Sequence, residues 1–264
     1  MENRIDIKFK ELKDNGKKAL VTFVTAGDPC FDLCEKFIIE MEKEGADLIE
    51  LGVPFSDPSA DGPVIQEANI RAMSNGADIY TIFDFVEKIR DKISVPLVFL
   101  IYYNVVFQYG ADKFFAKCAR VGIDGVIIPD LPYEEGGEIA EYTEKYGVYH
   151  INLLSPTSKE DRIKNIAENS KGFLYCISSL GVTGEKDEFS TDFESFFRTI
   201  RKYTDMPCCL GFGISGGKQV RMLKDYCDGV IVGSSIVKAA SKGNGDEEKI
   251  KSLADKMRDL KSGF

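Results

Sequence analysis

Tryptophan is absent from this 264-residue chain, and histidine occurs only once. No apolar run approaches the roughly 20 residues that a membrane-spanning helix requires. The N-terminus alternates charged and apolar side chains, so it lacks the apolar centre of a signal peptide. These absences predict a cytoplasmic protein with no membrane contact. A chain with a single histidine also cannot form a functional site that requires two histidines.

Basic clusters and paired cysteines are also missing. The chain has 43 acidic and 34 basic residues, a formal net charge of -9, and no basic run that could follow a nucleic-acid backbone. Its seven cysteines form no C-x-x-C pair, and with His150 they make no recognisable zinc site. The sequence therefore predicts reduced thiols, no metal and no nucleic-acid partner.

Eight short apolar runs recur along the chain, each followed by a helical pattern. This alternation is typical of parallel strands joined by crossover helices, and eight units in a chain of this length fit a closed (β/α)8 TIM barrel. We predict an α/β fold with a single domain over residues 1–264. An open doubly wound sheet is the alternative, but no G-x-G-x-x-G follows the first strand.

The predicted elements follow from these apolar periods. An extra N-terminal helix near residues 7–12 is expected to cap the open end of the barrel. Predicted strands span 19–24, 47–51, 97–102, 125–128, 149–153, 173–177, 208–212 and 229–232. Predicted helices span 31–44, 79–93, 111–121, 134–146, 159–169, 193–203, 217–226 and 249–260.

One carboxylate lies near the end of the second apolar run. Alternation along this strand puts Leu48 and Glu50 on the same face, and both faces of a parallel strand are covered. Burial should raise the pKa of Glu50, which suits a group that transfers a proton near neutral pH. A buried ion pair or a hydrogen-bonded structural acid is the alternative.

Other acids follow strand ends. From its spacing alone, Asp61 is predicted to cap a helix that begins at Pro63. Asp57 precedes Pro58 and is expected to shape a turn. For Asp130, which is flanked by prolines, a functional role and a turn role are equally consistent with the sequence.

Two glycine-rich strand ends occur late in the chain, at 211–217 and 233–235. In barrels the loops after the last two strands often bind phosphate, because backbone amides can approach the anion where side chains are missing. The sequence therefore predicts a phosphate site formed by these two loops. Tight strand endings are the alternative, and loop 181–184 could add amides or act as a lid.

Apolar side chains share faces of two other strands. Tyr175 lies on one face with Ile177, and Tyr102 lies on one face with Leu100, so either pair could wall a substrate pocket. Core filling is the alternative for these residues. His150 falls inside the fifth strand, where we expect it to be a packed side chain.

Five stretches, taken together, resemble the tryptophan synthase alpha chain family, the indole-3-glycerol-phosphate lyases. The resemblance covers nearly the whole predicted barrel and implies retro-aldol cleavage of indole-3-glycerol phosphate to indole and glyceraldehyde 3-phosphate, in L-tryptophan biosynthesis. It implies that Glu50 protonates the indole ring and that ionised Asp61 binds the indole N–H. The stretches are 50–63, 102–104, 181–184, 211–215 and 228–235.

The same resemblance implies the substrate contacts. Tyr175 should lie beside Glu50, and Thr183 should meet Asp61 when its loop closes. The implied indole slot is lined by Phe23, Leu100, Leu153 and Phe212, and the implied phosphate site contains Gly184, Gly213, Gly233, Ser234 and Ser235.

The resemblance also implies a partner. Family members work in an α2β2 complex with a beta chain, which carries pyridoxal phosphate and receives indole through a tunnel. This chain would need no cofactor of its own, and Asp57 and Pro58 would face the partner. Ser179 and Leu180 replace an Arg-Ala pair that is usual in the family, which affects the expected ordering of the lid and communication with the partner.

Two rival functions remain open. One is another phosphate-binding barrel, such as a Schiff-base aldolase or a sugar-phosphate isomerase, although no predicted strand offers the inward lysine that an aldolase needs. The other is a catalytically weak subunit whose main role is to activate a beta chain.

Overall fold

The computed structural model describes residues 2–177, 192–211 and 213–264. Within these residues the strands form one sheet in which every pairing is parallel. The strands are β1 (Ala19–Thr25), β2 (Leu48–Gly52), β3 (Leu97–Leu100), β4 (Gly125–Ile127), β5 (Tyr149–His150), β6 (Leu153–Leu154), β7 (Leu174–Ile177), β8 (Cys208–Gly211) and β9 (Gly229–Val232).

Helices lie between the strands and at both ends of the chain. Short 3-10 helices at Arg90–Lys92 and Tyr133–Glu135 flank two of them. The α-helices are α1 (Arg4–Asp14), α2 (Phe31–Lys43), α3 (Pro63–Ser74), α4 (Ile79–Ile89), α5 (Tyr103–Tyr109), α6 (Ala111–Val121), α7 (Gly137–Tyr146), α8 (Glu160–Asn169), α9 (Phe193–Arg201), α10 (Gly217–Leu223), α11 (Ser234–Ala240) and α12 (Asp246–Lys261). In the described ranges, no helix has the length and apolar character needed to cross a bilayer.

The sheet closes on itself. Its strand order is β5-β4-β3-β2-β1-β9-β8-β7-β6, so the two ends of the order are consecutive pieces of one chain segment. The predicted TIM barrel is confirmed, and the open doubly wound alternative is wrong. In such barrels the functional groups come from the carboxyl ends of the strands.

The fifth predicted strand, 149–153, is divided in two. Tyr149 and His150 pair with β4, whereas Leu153 and Leu154 pair with β7. Between them, the side-chain amide of Asn152 donates a hydrogen bond to Ser170 Oγ at 2.9 Å. One continuous run was predicted, but the chain pairs with β4 before residue 151 and with β7 after residue 152.

The apolar residues form separate cores inside and outside the barrel wall. Val21, Leu48 and Val98 face the interior, whereas Ile49 and Leu51 face the surrounding helices. This arrangement confirms the predicted alternation of β2. Three side chains of α1 close the interior at the amino-terminal ends of the strands, which confirms the predicted cap: Ile5, Phe9 and Leu12.

The sequence prediction missed α5 and α11 and placed only the start of α3, at Pro63. Two of them have only seven residues, which is less than two full turns of amphipathic pattern. The third, α3, begins with Pro63 at its first turn and ends at Ser74. All three follow the carboxyl ends of strands, so the omission falls on the face where function is expected.

Candidate active site

Glu50 lies on β2 and faces the barrel interior. It pairs in register with Phe23 of β1 and Val98 of β3, and only 1% of its surface is exposed. Burial raises the pKa of the Glu50 carboxyl to about 8. The rise predicted from the sequence is confirmed, and Glu50 is mostly protonated at neutral pH.

One oxygen of this carboxyl group lacks a protein partner. Among the residues that the structure describes, none hydrogen-bonds Glu50 Oε1, although the atom is fully buried. No basic residue contributes to the shift of its pKa. The ion-pair alternative therefore finds no support, and a buried polar atom without a partner is uncommon enough to indicate a functional position.

Asp61 lies in the loop between β2 and α3 and is also buried. Its Oδ2 accepts a hydrogen bond from the Tyr102 hydroxyl at 3.2 Å, and the same hydroxyl accepts one from the Ala60 amide at 3.0 Å. Burial raises the pKa of Asp61 to about 6, while hydrogen bonds from Tyr102 and Asn69 oppose the rise. Asp61 therefore ionises at lower pH than Glu50.

The cap predicted for Asp61 from spacing is wrong. The residue before α3 is Gly62, which has no side chain that could cap the helix. The Asp61 carboxylate instead binds Tyr102 and Asn69, while its backbone carbonyl accepts from Gln66 Nε2. Contacts with residues that are distant in the sequence therefore replace the helix cap that was predicted for Asp61.

The sequence prediction missed Asn69 and Phe55. Asn69 is a buried amide on α3 among Ile65, Ala68 and Ala72, and a polar residue at apolar helical spacing was the available signal. Phe55 stacks on the Tyr102 ring, with centroids 5.0 Å apart. Asn69 donates to Asp61 directly, whereas Phe55 packs against Tyr102, the other donor to Asp61.

Tyr175 on β7 lies close enough to both acids for their charges to affect it. Burial raises the pKa of the Tyr175 hydroxyl well above its ordinary value, and the negative charges of Glu50 and Asp61 add to this rise. A Cβ added to Gly211 would come within 2.8 Å of the Tyr175 hydroxyl. Glycine at this strand end thus makes room for the tyrosine ring.

Apolar side chains line the barrel interior near the two acids. Phe23 and Leu100 pack together with Val237 of α11, and Leu153 pairs in register with Tyr175. Tyr102, predicted to share a strand face with Leu100, lies just beyond β3 and holds Asp61 instead.

The loops after β8 and β9 contact each other near Phe23, one of these apolar residues. Gly213 has φ of +84°, a backbone region that favours glycine. The buried Ser235 hydroxyl donates to the Ile214 carbonyl at 3.3 Å and so joins the two loops. Gly233 precedes α11, and a Cβ on it would lie 3.6 Å from Phe23 Cβ. Ser234 is the first residue of α11 and is half-buried.

The rim of the barrel carries the predicted partner residues. Asp57 is exposed and Pro58 is half-buried, and their loop is stabilised where the Asp61 amide donates to the Pro58 carbonyl at 3.0 Å. On α5, which begins after β3, Phe107 is 66% exposed. We call Asp57, Pro58 and Phe107 the rim face.

Several sequence predictions lie away from these groups or outside the described residues. His150 is half-buried, and burial lowers its pKa to about 4, in agreement with a packed side chain. Asp130 Oδ1 accepts from the Tyr103 amide at 2.8 Å and so binds the start of α5, a contact that neither predicted role includes. All seven cysteines are free thiols. Five residues lie outside the described part of the chain: Ser179, Leu180, Thr183, Gly184 and Phe212.

The fold and these groups define a class of protein, a (β/α)8 barrel with two buried carboxyl groups near the carboxyl ends of its strands. The sequence matches the family model described as tryptophan synthase alpha chain over residues 9–264. The chain belongs to the tryptophan synthase alpha chain family.

Individual relatives agree with the family model. The chain is 50% identical over 259 residues to the tryptophan synthase alpha chain of Thermoanaerobacter sp. (strain X514), with 98% of each chain covered. It is 48% identical over 262 residues to that of Clostridium kluyveri, with 99% of each covered. A solved structure of Mycobacterium tuberculosis tryptophan synthase superposes with a TM-score of 0.90 at 30% identity, covering 100% of this chain and 98% of that one.

Proposed function

We propose that this chain cleaves indole-3-glycerol phosphate to indole and glyceraldehyde 3-phosphate, with Glu50 and Asp61 as its two catalytic acids. The observation that carries the proposal is the contrast between these two carboxyl groups. One carboxyl group is protonated at neutral pH and lacks a partner among the described residues, while the other ionises at lower pH and is held by donors. Different surroundings give two like groups different roles.

Glu50 acts first as an acid. Its proton goes to C3 of the indole ring, which becomes tetrahedral, and a positive charge develops on the ring nitrogen. The resulting Glu50 carboxylate then accepts the proton of the adjacent side-chain hydroxyl. As that proton leaves, the carbon–carbon bond breaks, its electron pair restores the indole ring, and an aldehyde forms. Glu50 ends the cycle protonated.

Asp61 stabilises the charge on the indole nitrogen. Because Tyr102 and Asn69 donate to its carboxylate, Asp61 is mainly ionised above pH 6 and can accept the indole N–H. Tyr175, beside both acids, contacts the ring, and three apolar side chains line the indole slot: Phe23, Leu100 and Leu153. The roles of Thr183 and Phe212 remain predictions.

The phosphate group binds where β8 and β9 end. Gly213 and Gly233 have no side chain to keep the phosphate away from their backbone. Ser234, the first residue of α11, offers the phosphate its backbone amide. The hydrogen bond from Ser235 to the Ile214 carbonyl keeps the two loops together. The contribution of Gly184 remains a prediction.

The proposed assembly is an α2β2 complex with a beta chain. The rim face meets this partner, since an exposed phenylalanine and an exposed carboxylate at the same end of the barrel are suited to a protein interface. Pyridoxal phosphate belongs to the beta chain, which consumes the indole, and this chain works in the cytoplasm without a cofactor. The domain covers residues 1–264.

The direct test incubates the purified chain with indole-3-glycerol phosphate and follows indole and glyceraldehyde 3-phosphate, with and without a beta chain. We expect both products in equal amounts and faster release with the partner. Absence of indole under both conditions would overturn the proposed lyase. If the chain stimulates the beta chain but releases no indole, the rival function, a binding subunit, is correct.

A further inference from the structure

The loop that follows β8, residues 213–217, is held by side chains from three different helices. Ser235 of α11 donates to the Ile214 carbonyl at 3.3 Å. On α10, Gln219 Nε2 donates to Ser215 Oγ at 3.0 Å. Lys256 of α12 donates through Nζ to the Ser215 carbonyl at 2.8 Å. We call residues 213–217 the β8 loop.

Lys256 approaches the β8 loop from outside the barrel. It lines a cleft of about 840 Å³ between α11 and α12, together with Ser215, Ser235 and Lys251. Its side chain is only 26% exposed, and its nearest acid, Asp259, lies 3.4 Å away. The ammonium group is therefore directed at the loop backbone and is only loosely paired with a carboxylate.

Backbone packing supports the same contact. A Cβ on Gly217 would lie 2.3 Å from the Asp259 carbonyl, and a Cβ on Gly263 would lie 2.5 Å from the Gly217 carbonyl. The end of α12 thus contacts the β8 loop directly, with no side chain between them. Lys256, one turn earlier on α12, adds a charged hydrogen bond to this contact.

We propose that Lys256 is a positioning residue for the phosphate end of the substrate, acting through the Ser215 carbonyl. This inference rests on the proposed lyase function and extends it. Lys256 holds the Ser215 carbonyl on the cleft side of the loop, and because a peptide is planar and trans, the Gly216 N–H points the opposite way. A carbonyl free to turn inward would repel a phosphate dianion, and holding it outward removes that cost before the substrate binds.

The effect should be specific to one end of the substrate. Glu50 and the indole slot lie on other strands and Asp61 lies in the loop after β2, and among the described residues no bond joins them to Lys256. Loss of the ammonium should weaken phosphate binding and leave indole binding and the chemical step nearly unchanged. A merely structural residue would affect both ends together.

The test uses the full-length chain with Lys256→Met and two separate probes, sn-glycerol 3-phosphate and indole. We expect the Kd for glycerol 3-phosphate to rise about three- to tenfold, as for loss of one hydrogen bond, with the Kd for indole unchanged. In turnover of indole-3-glycerol phosphate, KM should rise by a similar factor, while kcat changes less than about twofold.

Two matched variants complete the test. Lys256→Arg keeps a charged donor and should restore phosphate affinity, whereas Lys251→Met, in the same cleft but with no bond to the β8 loop, should behave as wild type. The inference is wrong if Lys256→Met binds glycerol 3-phosphate normally or loses both probes equally. If wild type releases no indole at all, it is the lyase proposal that fails.

Discussion

At the scale of single residues, the site depends on a contrast between two carboxyl groups. Glu50 is surrounded by apolar strands, so burial alone sets its pKa at about 8. Asp61 is buried too, but Tyr102 and Asn69 donate to it, and its pKa is about 6. A proton donor and an anion therefore coexist at neutral pH within one small interior.

This contrast predicts a bell-shaped pH dependence of kcat/KM for indole release. Turnover requires Glu50 protonated, so it should fall as pH rises through about 8. It also requires Asp61 ionised, so it should fall as pH drops through about 6. Rates measured from pH 5 to 10 test both limbs, and a rate that keeps rising above pH 9 would contradict the role of Glu50.

The acidic limb needs a control, because a substrate phosphate group also titrates near pH 6. Tyr102→Phe removes a donor that lowers the pKa of Asp61, so the limb should move to higher pH. The substrate pKa is the same for both proteins. An unmoved limb would assign that titration to the substrate instead of Asp61.

The residues of the site were predictable to different degrees. Glu50 could be identified because a carboxylate on a strand covered on both faces is visible in the local pattern. The setting of Asp61 could not, since Tyr102 is 41 positions away in the chain and Asn69 lies on a helix of which only the start was predicted. Local spacing predicted that Asp61 caps a helix, but its carboxylate accepts hydrogen bonds from Tyr102 and Asn69 instead.

At the scale of elements, α1 closes one end of the barrel while the reactive groups occupy the other. Phe9 of α1 packs against Phe173, with ring centroids 5.5 Å apart, and is almost fully buried. The interior at this end is a packed core, as is usual in TIM barrels. Stability and catalysis are thus assigned to opposite ends of the same strands.

This separation predicts the effect of Phe9→Ala. The free energy of unfolding, measured by urea denaturation, should fall by about 3–5 kcal/mol, because the variant leaves a cavity under α1. The kcat for indole release should be unchanged at temperatures where the variant is folded. Ile7→Ala is the matched control on the same helix, since Ile7 is 48% exposed and should cost little. A large fall in kcat with unchanged stability would contradict the assignment.

The order of elements was predictable further than their ends. Alternating apolar runs and helical patterns suffice for parallel strands and a barrel, and α6 was predicted with its observed bounds. The break between β5 and β6 was not predictable, because it depends on pairing with β4 and β7, which the local apolar pattern does not reveal. The seven-residue helices α5 and α11 are too short to show a clear period.

At the scale of the whole molecule, the reactive end of the barrel is also the proposed docking side. The rim face follows β2 and β3 at the end of the barrel where the acids lie, so a beta chain bound there could receive indole without its release to solvent. Phe107 is the large exposed apolar side chain of this face. Aromatic residues of this kind often dominate the binding energy of an interface.

Phe107→Ala should therefore weaken binding of a beta chain by about tenfold or more, measured by titration calorimetry. Indole release by the isolated chain should remain at the wild-type rate. Met222→Ala is the control, because Met222 is 56% exposed on α10, away from the rim face. Equal affinities for the two variants would place the partner elsewhere.

The central claim is that the buried carboxyl group of Glu50 carries the proton of the reaction, and Glu50→Gln tests it most directly. Glutamine keeps the size and polarity of the side chain but transfers no proton. We predict that indole release falls by about a thousandfold or more while the Kd for indole-3-glycerol phosphate stays within about threefold of wild type. Equal turnover by the two proteins would contradict the account.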